Sequence, residues 1–159
     1  MVHTVKQRRL EAKTDYKARL ALLKSGKPRL VIRKTNKRII AQIVESQISQ
    51  DRIILGVHSG MLLSKGWPKE KEGSLKSKPS CYLTGFMLGN AAKSKINGEV
   101  ILDIGMHRNI KKSRIYAVLK GAIDAGLKIP HKDIALPTEE SLSKNKNHGG
   151  IFDKLKKNI

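Results

Sequence analysis

The chain has 159 residues, 39% of them hydrophobic and only 4% aromatic, with 33 Lys and Arg against 13 Asp and Glu for a formal net charge of +20. That length supports one domain with a real core, and so large a charge repels itself in the compact state unless a polyanion is near, which puts nucleic acid first among partners. No apolar run approaches the roughly 20 residues of a membrane span, the N-terminus lacks a secretory signal pattern, and the single Cys81 leaves no internal disulfide framework.

Charge is concentrated at the start: the first 40 residues hold 13 Lys and Arg against 2 acids. Residues 1–13 carry Lys6, Arg8, Arg9 and Lys13 with no sustained period and read as a basic arm, ordered mainly on binding. Thr14 or Asp15 is a good N-cap for a short helix. Tyr16, Leu20 and Leu23 share one face of it, and Lys17, Lys24 and Arg19 lie on the other. Gly26 and Pro28 end it.

Two strands follow. Leu30 and Ile32 point to one side, and Arg29, Val31 and Arg33 to the other. Lys34, Thr35, Asn36 and Lys37 form the turn, with Asn36 suited to positive φ. On the return, Ile39, Ala41 and Ile43 alternate with Arg38, Ile40, Gln42 and Val44. A third strand over 52–57 contains a continuous Ile-Ile-Leu, which predicts a central position in an antiparallel meander.

"SGMLLSKGW" reads as one helical turn stopped by Gly66 and Pro68, and 68–79 as a polar loop. "KPSCYLTGFMLGNAAKSKI" is a helix with Pro79 in its first turn. Its broad apolar face runs through Tyr82 or Leu83, Phe86, Met87, Asn90 and Ala91, and Gly85 and Gly89 allow close packing against a sheet. Asn97-Gly98 breaks it, and "EVILDIG" is a buried strand ending at Gly105. "MHRNIKK" is a basic loop. Ser113 caps the last helix, "RIYAVLKGAIDAG", with Ile115, Leu119, Ala122 and Ile123 inward and Gly126 at its end. The expected organisation is a basic arm (1–13), one globular RNA-binding domain (14–137) and a basic tail (138–159). The fold class is α/β of α+β character: a mixed sheet with an antiparallel three-stranded meander, packed by helices.

Catalytic signals are weak. None of the five histidines pairs at HxxxH or HExxH spacing, and no phosphate-loop, dinucleotide or nucleophile-elbow pattern occurs. Asp103, near the end of a buried strand, is the best-placed carboxylate; with Asp124 or Asp133 it forms the alternative reading, a Mg-dependent RNA nuclease. The plainer reading has Asp103 capping a loop amide. Cys81, in an apolar neighbourhood, reads as core. No metal, cofactor or small-molecule substrate is expected.

The basic residues carry more. Three clusters carry positive charge that acids within i±4 do not balance: Lys6, Arg8, Arg9 and Lys13; Arg29, Arg33, Lys34, Lys37 and Arg38; and Arg108, Lys111, Lys112 and Arg114. Arg grips phosphate bidentately and Lys adds point charge. With two Phe, three Tyr and one Trp, base stacking is poorly supplied, so the pattern favours shape and phosphate recognition of structured RNA.

"RRLEAKTDYKARLALLKSGKPRLVIRKTNKRIIAQI", "YLTGFMLG", "VILDIG" and "LKGAIDAGLKIPH" together resemble the large-subunit ribosomal protein family number eighteen, the 5S-rRNA-binding family, in its archaeal and eukaryotic branch. The resemblance covers roughly residues 7–140. It implies a non-enzymatic, cytoplasmic ribosomal protein that binds 5S rRNA and attaches it to the large subunit in the central protuberance. Large-subunit rRNA and neighbouring ribosomal proteins would be its other partners, with no membrane. Carried over by position, RNA contacts fall on Arg8, Arg9, Lys13, Thr14, Tyr16, Arg19, Arg29, Arg33, Lys34, Thr35, Asn36, Lys37 and Arg114. The family's usual glycine before "KTDY" is Ala12 here, and the C-terminal segment departs from the family's extension.

Overall fold

In a computed structural model, described over residues 5–48, 50–96, 98–143 and 149–159, a four-stranded mixed sheet is backed by helices. Strand β1 (Arg29–Lys34) pairs antiparallel with β2 (Ile39–Gln47), and β2 pairs antiparallel with β3 (Gln50–His58). The short β4 (Ile101–Asp103) adds in parallel to the other side of β1. The order is therefore β3-β2-β1-β4, a mixed sheet containing the meander.

The register follows from side-chain alternation. Leu30, Ile32, Ile39, Ala41 and Ile43 have no exposure and form the helix-side face, while Arg29, Val31 and Arg33 point to the other side of β1. The third strand corrects the expectation of a central position: β3 is an edge, and Ile53 is 55% exposed. Its Ile-Ile-Leu run comes from a bulge instead. Ile43 faces Leu55 and Val44 faces Ile53, so Ile54 is the extra residue and the inward–outward alternation slips by one. Asn36 does not take positive φ. Thr35 closes the turn alone, its hydroxyl donating to the Arg38 carbonyl at 2.8 Å and accepting from the Arg38 N–H at 2.9 Å.

Two helices cover the inner face. Helix α1 (Gln7–Leu10) and helix α2 (Tyr16–Lys24) precede the sheet and bury no residue; Leu20, expected on an inward face, is 56% exposed. Asp15 caps α2, its carboxylate accepting from the Lys17 and Ala18 amides at 3.0 Å. After a 3₁₀ turn at Ser59–Leu63 and another at Lys69–Ser74, α3 (Lys78–Ala92) begins with Pro79 in its first turn. From Pro79 to Gly85 every residue is buried, so α3 is a central helix rather than one with a single apolar face.

Helix α4 (Arg114–Asp124) packs on α3. The glycines expected to meet the sheet meet α4: a Cβ on Gly85 would fall 2.0 Å from the Val118 carbonyl oxygen, and one on Gly121 would fall 2.0 Å from that of Tyr82. Backbone touches backbone there, which only glycine permits. Ser113 sits at the α4 N-cap as expected, but its hydroxyl makes no capping hydrogen bond.

Residues 138–159, read as a basic tail, contain α5 (Glu139–Ser143) and α6 (Gly149–Asn158), so α4 is not the last helix. Leu142, Phe152 and Leu155 join the core. Phe152 meets the Tyr82 ring edge-on at 5.2 Å, and Lys156 Nζ lies 5.5 Å over the same ring and 3.1 Å from Glu139. His3, Asn97 and His148 lie outside the described residues.

Candidate nucleic-acid interface

β1 and β4 run parallel from Arg29 and Ile101, and β1 continues three residues past the end of β4 at Asp103, so the end of β1 and the loop after β4 form one rim. Arg29 starts that strand pair and is 2% exposed. Its guanidinium donates to Asp103 Oδ2 at 2.9 Å, Asp51 Oδ1 at 2.8 Å and Ser46 Oγ at 3.0 Å. An arginine so held is a structural cation: the expectation that it grips RNA directly is replaced by a bridge between β1, β3 and β4.

The next outward residue, Arg33, is the exposed member of the set. Its guanidinium donates to Asp103 Oδ1 and to the Asp103 and Ile32 carbonyls at 2.9–3.0 Å. Asp103 thus divides its carboxylate, one oxygen for Arg29 and the other for Arg33 and the Gly105 N–H at 2.9 Å. This is the loop-amide cap of the plainer reading. Gly105, at φ +59, lies so close beneath Arg33 that a Cβ would come within 2.9 Å of the guanidinium carbon. Asp51 holds the far end through Arg19 at 2.9 Å. Burial alone would raise Asp51, but hydrogen bonds from Ser46 and Arg19 and the Arg29 charge outweigh it and keep its pKa below the ordinary value.

The arm closes a cleft of about 210 Å³ over this lattice, bringing Arg8, Lys13, Thr14, Arg19 and Arg33 together. Arg8 Nε donates to Thr14 Oγ1 at 3.0 Å, and the Lys13 and Thr14 amides both donate to the Arg8 carbonyl. The turn that makes this possible passes through Ala12 at φ +50. Ala12 thus holds a left-handed backbone and bears the steric cost of its Cβ, on the order of 1–2 kcal/mol. Arg9 is exposed outside the cleft, and Tyr16 lies beneath Lys6 Nζ at 4.5 Å.

Thr35, Asn36 and Lys37 form the exposed hairpin tip, with the Asn36 carbonyl accepting from Lys76 Nζ at 2.7 Å. Lys34 and Arg114, also expected at the interface, are brought together elsewhere. They line a separate cleft of about 610 Å³ on the other side of Met106, which borders both spaces. Sequence reasoning flagged the basic run at 108–114 as a cluster; it had no signal for Lys78, 30 or more positions earlier, or for His107. The Lys34 N–H donates to His107 Nε2 at 3.1 Å, which leaves the ring proton on Nδ1. Burial first, then the Lys34 and Arg33 charges, hold the His107 pKa below its ordinary value.

The nuclease alternative has no free carboxylate set. Both Asp103 oxygens are engaged by arginine, Asp124 accepts from Tyr82 Oη at 2.8 Å and Lys120 at 2.7 Å, and Asp133 is on the surface beside His131. Among the described residues no group of His, Cys, Asp and Glu is placed to hold a metal. Cys81 is fully buried, and burial pushes its thiol up to about 12, too high for a nucleophile.

Residues 2–99 and 91–132 match the family described as ribosomal large subunit proteins 60S L5 and 50S L18. The chain belongs to this family. It is 45% identical over 136 residues to the large ribosomal subunit protein uL18 of Methanoculleus marisnigri, covering 86% of this chain and 75% of that protein. It is 43% identical over 135 residues to uL18 of Aeropyrum pernix, covering 84% of this chain and 61% of that one. As a member of this large-subunit family the chain is a structural, non-enzymatic ribosomal component of the cytoplasm, and the paired state of Asp103 is in keeping with that.

Proposed function

We propose that this family member binds 5S rRNA and attaches it to the large subunit in the central protuberance, with large-subunit rRNA and neighbouring ribosomal proteins as further partners. The observation that carries this reading is the arm cleft. Arg8, Lys13, Thr14, Arg19 and Arg33 converge on one small space, and Asp51 and Asp103 fix two of the guanidinium groups from behind. Guanidinium groups held in advance lose little freedom when they bind phosphate, so the cleft suits a folded backbone of fixed shape. The hairpin tip at Thr35, Asn36 and Lys37, with Arg9 and Tyr16 on the arm side, extends the same surface. Arg29 serves it from beneath, as a strut. In this reading the globular body (14–137) presents the surface and the arm (1–13) closes over the RNA.

The test is filter binding of 5S rRNA and of a length-matched scrambled RNA across a salt series. Sub-micromolar binding is expected for 5S rRNA, with affinity falling steeply as salt rises because each neutralised phosphate contributes about 0.7–0.9 to the log–log slope. Charge reversal of the exposed pair Arg9→Glu and Lys37→Glu should weaken binding tenfold or more with the thermal midpoint unchanged. Equal affinity for the scrambled RNA, or normal binding by the double variant, would sink the proposal.

A further inference from the structure

The two ends of the sheet differ in charge. Lys34, Lys37 and Arg38 crowd the β1–β2 hairpin, whereas residues 41–60 hold two acids, Glu45 and Asp51, and one base, Arg52. β2 runs from one end to the other over nine residues. At about 3.3 Å per residue its far end lies roughly 25–30 Å from the basic hairpin. There β2 and β3 outrun the sheet: β1 pairs with β2 only as far as Val44, and residues 45–47 pair with 50–52 as a projecting two-stranded ribbon. The bulge at Ile54 sits at the base of this ribbon, where the strand bends.

At the tip, Gln47 faces Gln50, which leaves a two-residue loop that starts at Ile48. Loops of this kind use positive φ and favour Asn, Asp and Gly. Ile48 takes φ +46 there with its side chain 100% exposed. A β-branched residue fits that backbone poorly, and an isoleucine in open water gains nothing from burial, so in the free chain it is unfavourable twice over. The mount beneath it is rigid: Asp51 accepts from Arg29 at 2.8 Å and from Arg19 at 2.9 Å, and Ser46 accepts from Arg29 at 3.0 Å. Ile53, 55% exposed, lies beside Asp51 on β3, and Leu20, 56% exposed, follows Arg19 on α2. Exposed apolar side chains on a braced ribbon with almost no net charge suit a protein surface; a phosphate would meet only Arg52.

We propose that the β2–β3 ribbon is a protein-docking knob: Ile48 enters an apolar recess on a neighbouring protein of the large subunit, Ile53 and Leu20 flank the contact, and a basic side chain of that protein meets Glu45. Burying Ile48 in such a recess offsets what its position costs the free chain, and the braced ribbon loses little freedom on docking. The proposal rests on the reading that neighbouring ribosomal proteins are partners, and not on the identity of the RNA. It divides the molecule by function: the basic end of the sheet faces nucleic acid and the ribbon end faces protein.

Cys81, the single cysteine of the chain, is fully buried, so Ile48→Cys places the one accessible thiol at the ribbon tip. The variant is labelled with a benzophenone maleimide, labelling is confirmed by mass, and the chain is exchanged into large subunits washed free of the native protein. Irradiation should give an adduct with one ribosomal protein that survives ribonuclease. An adduct with RNA, an adduct with a second copy of this chain, or no adduct would overturn the proposal. Ile48→Gly supplies the second measurement, because glycine suits the loop and removes only the knob. Its thermal midpoint should be no lower and its binding to 5S rRNA unchanged, while its retention in large subunits purified from cells falls roughly tenfold. Full retention would sink the proposal, as would a loss of 5S rRNA binding, which would put the tip on RNA. Failure of the unaltered chain to prefer 5S over scrambled RNA would count against the proposed function and leave the crosslink standing.

Discussion

Asp103→Asn tests the lattice that holds the interface together. The substitution keeps the shape of the side chain and removes the charge that faces Arg29 at 2.9 Å and Arg33 at 3.0 Å. The Arg29 side chain is 2% exposed and that of Asp103 8%, so this is a buried pair, and breaking such a pair from one side costs about 3–5 kcal/mol because the remaining charge stays out of water. Arg29 still has Asp51 at 2.8 Å and Ser46 at 3.0 Å, so the lower end applies. The exposed Arg33 contact adds less than about 1 kcal/mol. A loss of about 3 kcal/mol corresponds to a thermal midpoint roughly 6–12 °C lower for a domain of this size. Urea unfolding followed by circular dichroism measures it directly, with the denaturant slope expected to stay constant. The double variant Arg29→Met, Asp103→Leu supplies the control: removing both charges should recover most of the loss. A cost below about 1 kcal/mol for Asp103→Asn at constant slope would refute the reasoning, as would a double variant no better than the single one.

Three other outcomes follow from particular contacts. Gly85→Ala should cost about 3 kcal/mol or more in chemical denaturation, because the new Cβ lands on the Val118 carbonyl of a neighbouring helix; Gly26→Ala, at φ +65 but with nothing within 4 Å, should cost only about 1 kcal/mol. Ala12→Gly relieves the left-handed backbone of the arm, and hydrogen exchange at the Lys13 and Thr14 amides should slow by roughly fivefold, the equivalent of about 1 kcal/mol of local opening. The lowered pKa of His107 means that the folded chain takes up this proton less readily than the unfolded chain. Its contribution is complete above pH 6.5 and is lost as pH falls through the lowered folded value; His107→Gln, which keeps an acceptor for the Lys34 N–H, should remove that portion of the pH dependence in thermal melts.

The strands and the two central helices were legible because their signals are local. Leu30 and Ile32 against Arg29 and Arg33 fix the face of β1, Pro79 marks the start of α3, and Gly126 the end of α4. What escaped depends on contacts distant in sequence. Arg29 has the same alternation as Arg33, and only the arrival of Asp51 and Asp103, 22 and 74 residues away, makes one a buried strut and the other a surface group. The two glycines of α3 announced a close approach but not to what. The edge position of β3 was hidden because a bulge at Ile54 imitates the continuous apolar run of a central strand. In the C-terminal segment, abundant lysine masked the spacing of Phe152 and Leu155, which bury one face of α6 while the charges remain outside.

That last feature bears on the order of events during synthesis. Phe152 and Leu155 close the core against Tyr82 and its surroundings, and a chain made from its N-terminus extrudes its segments in sequence. The first 40 residues, with 13 of the 33 Lys and Arg and only 2 acids, are in solution while the residues that seal the body are still being added. A newborn chain of this kind exposes its anion-seeking half before its own interior is shut, so free RNA and the final helix compete for an unfinished molecule.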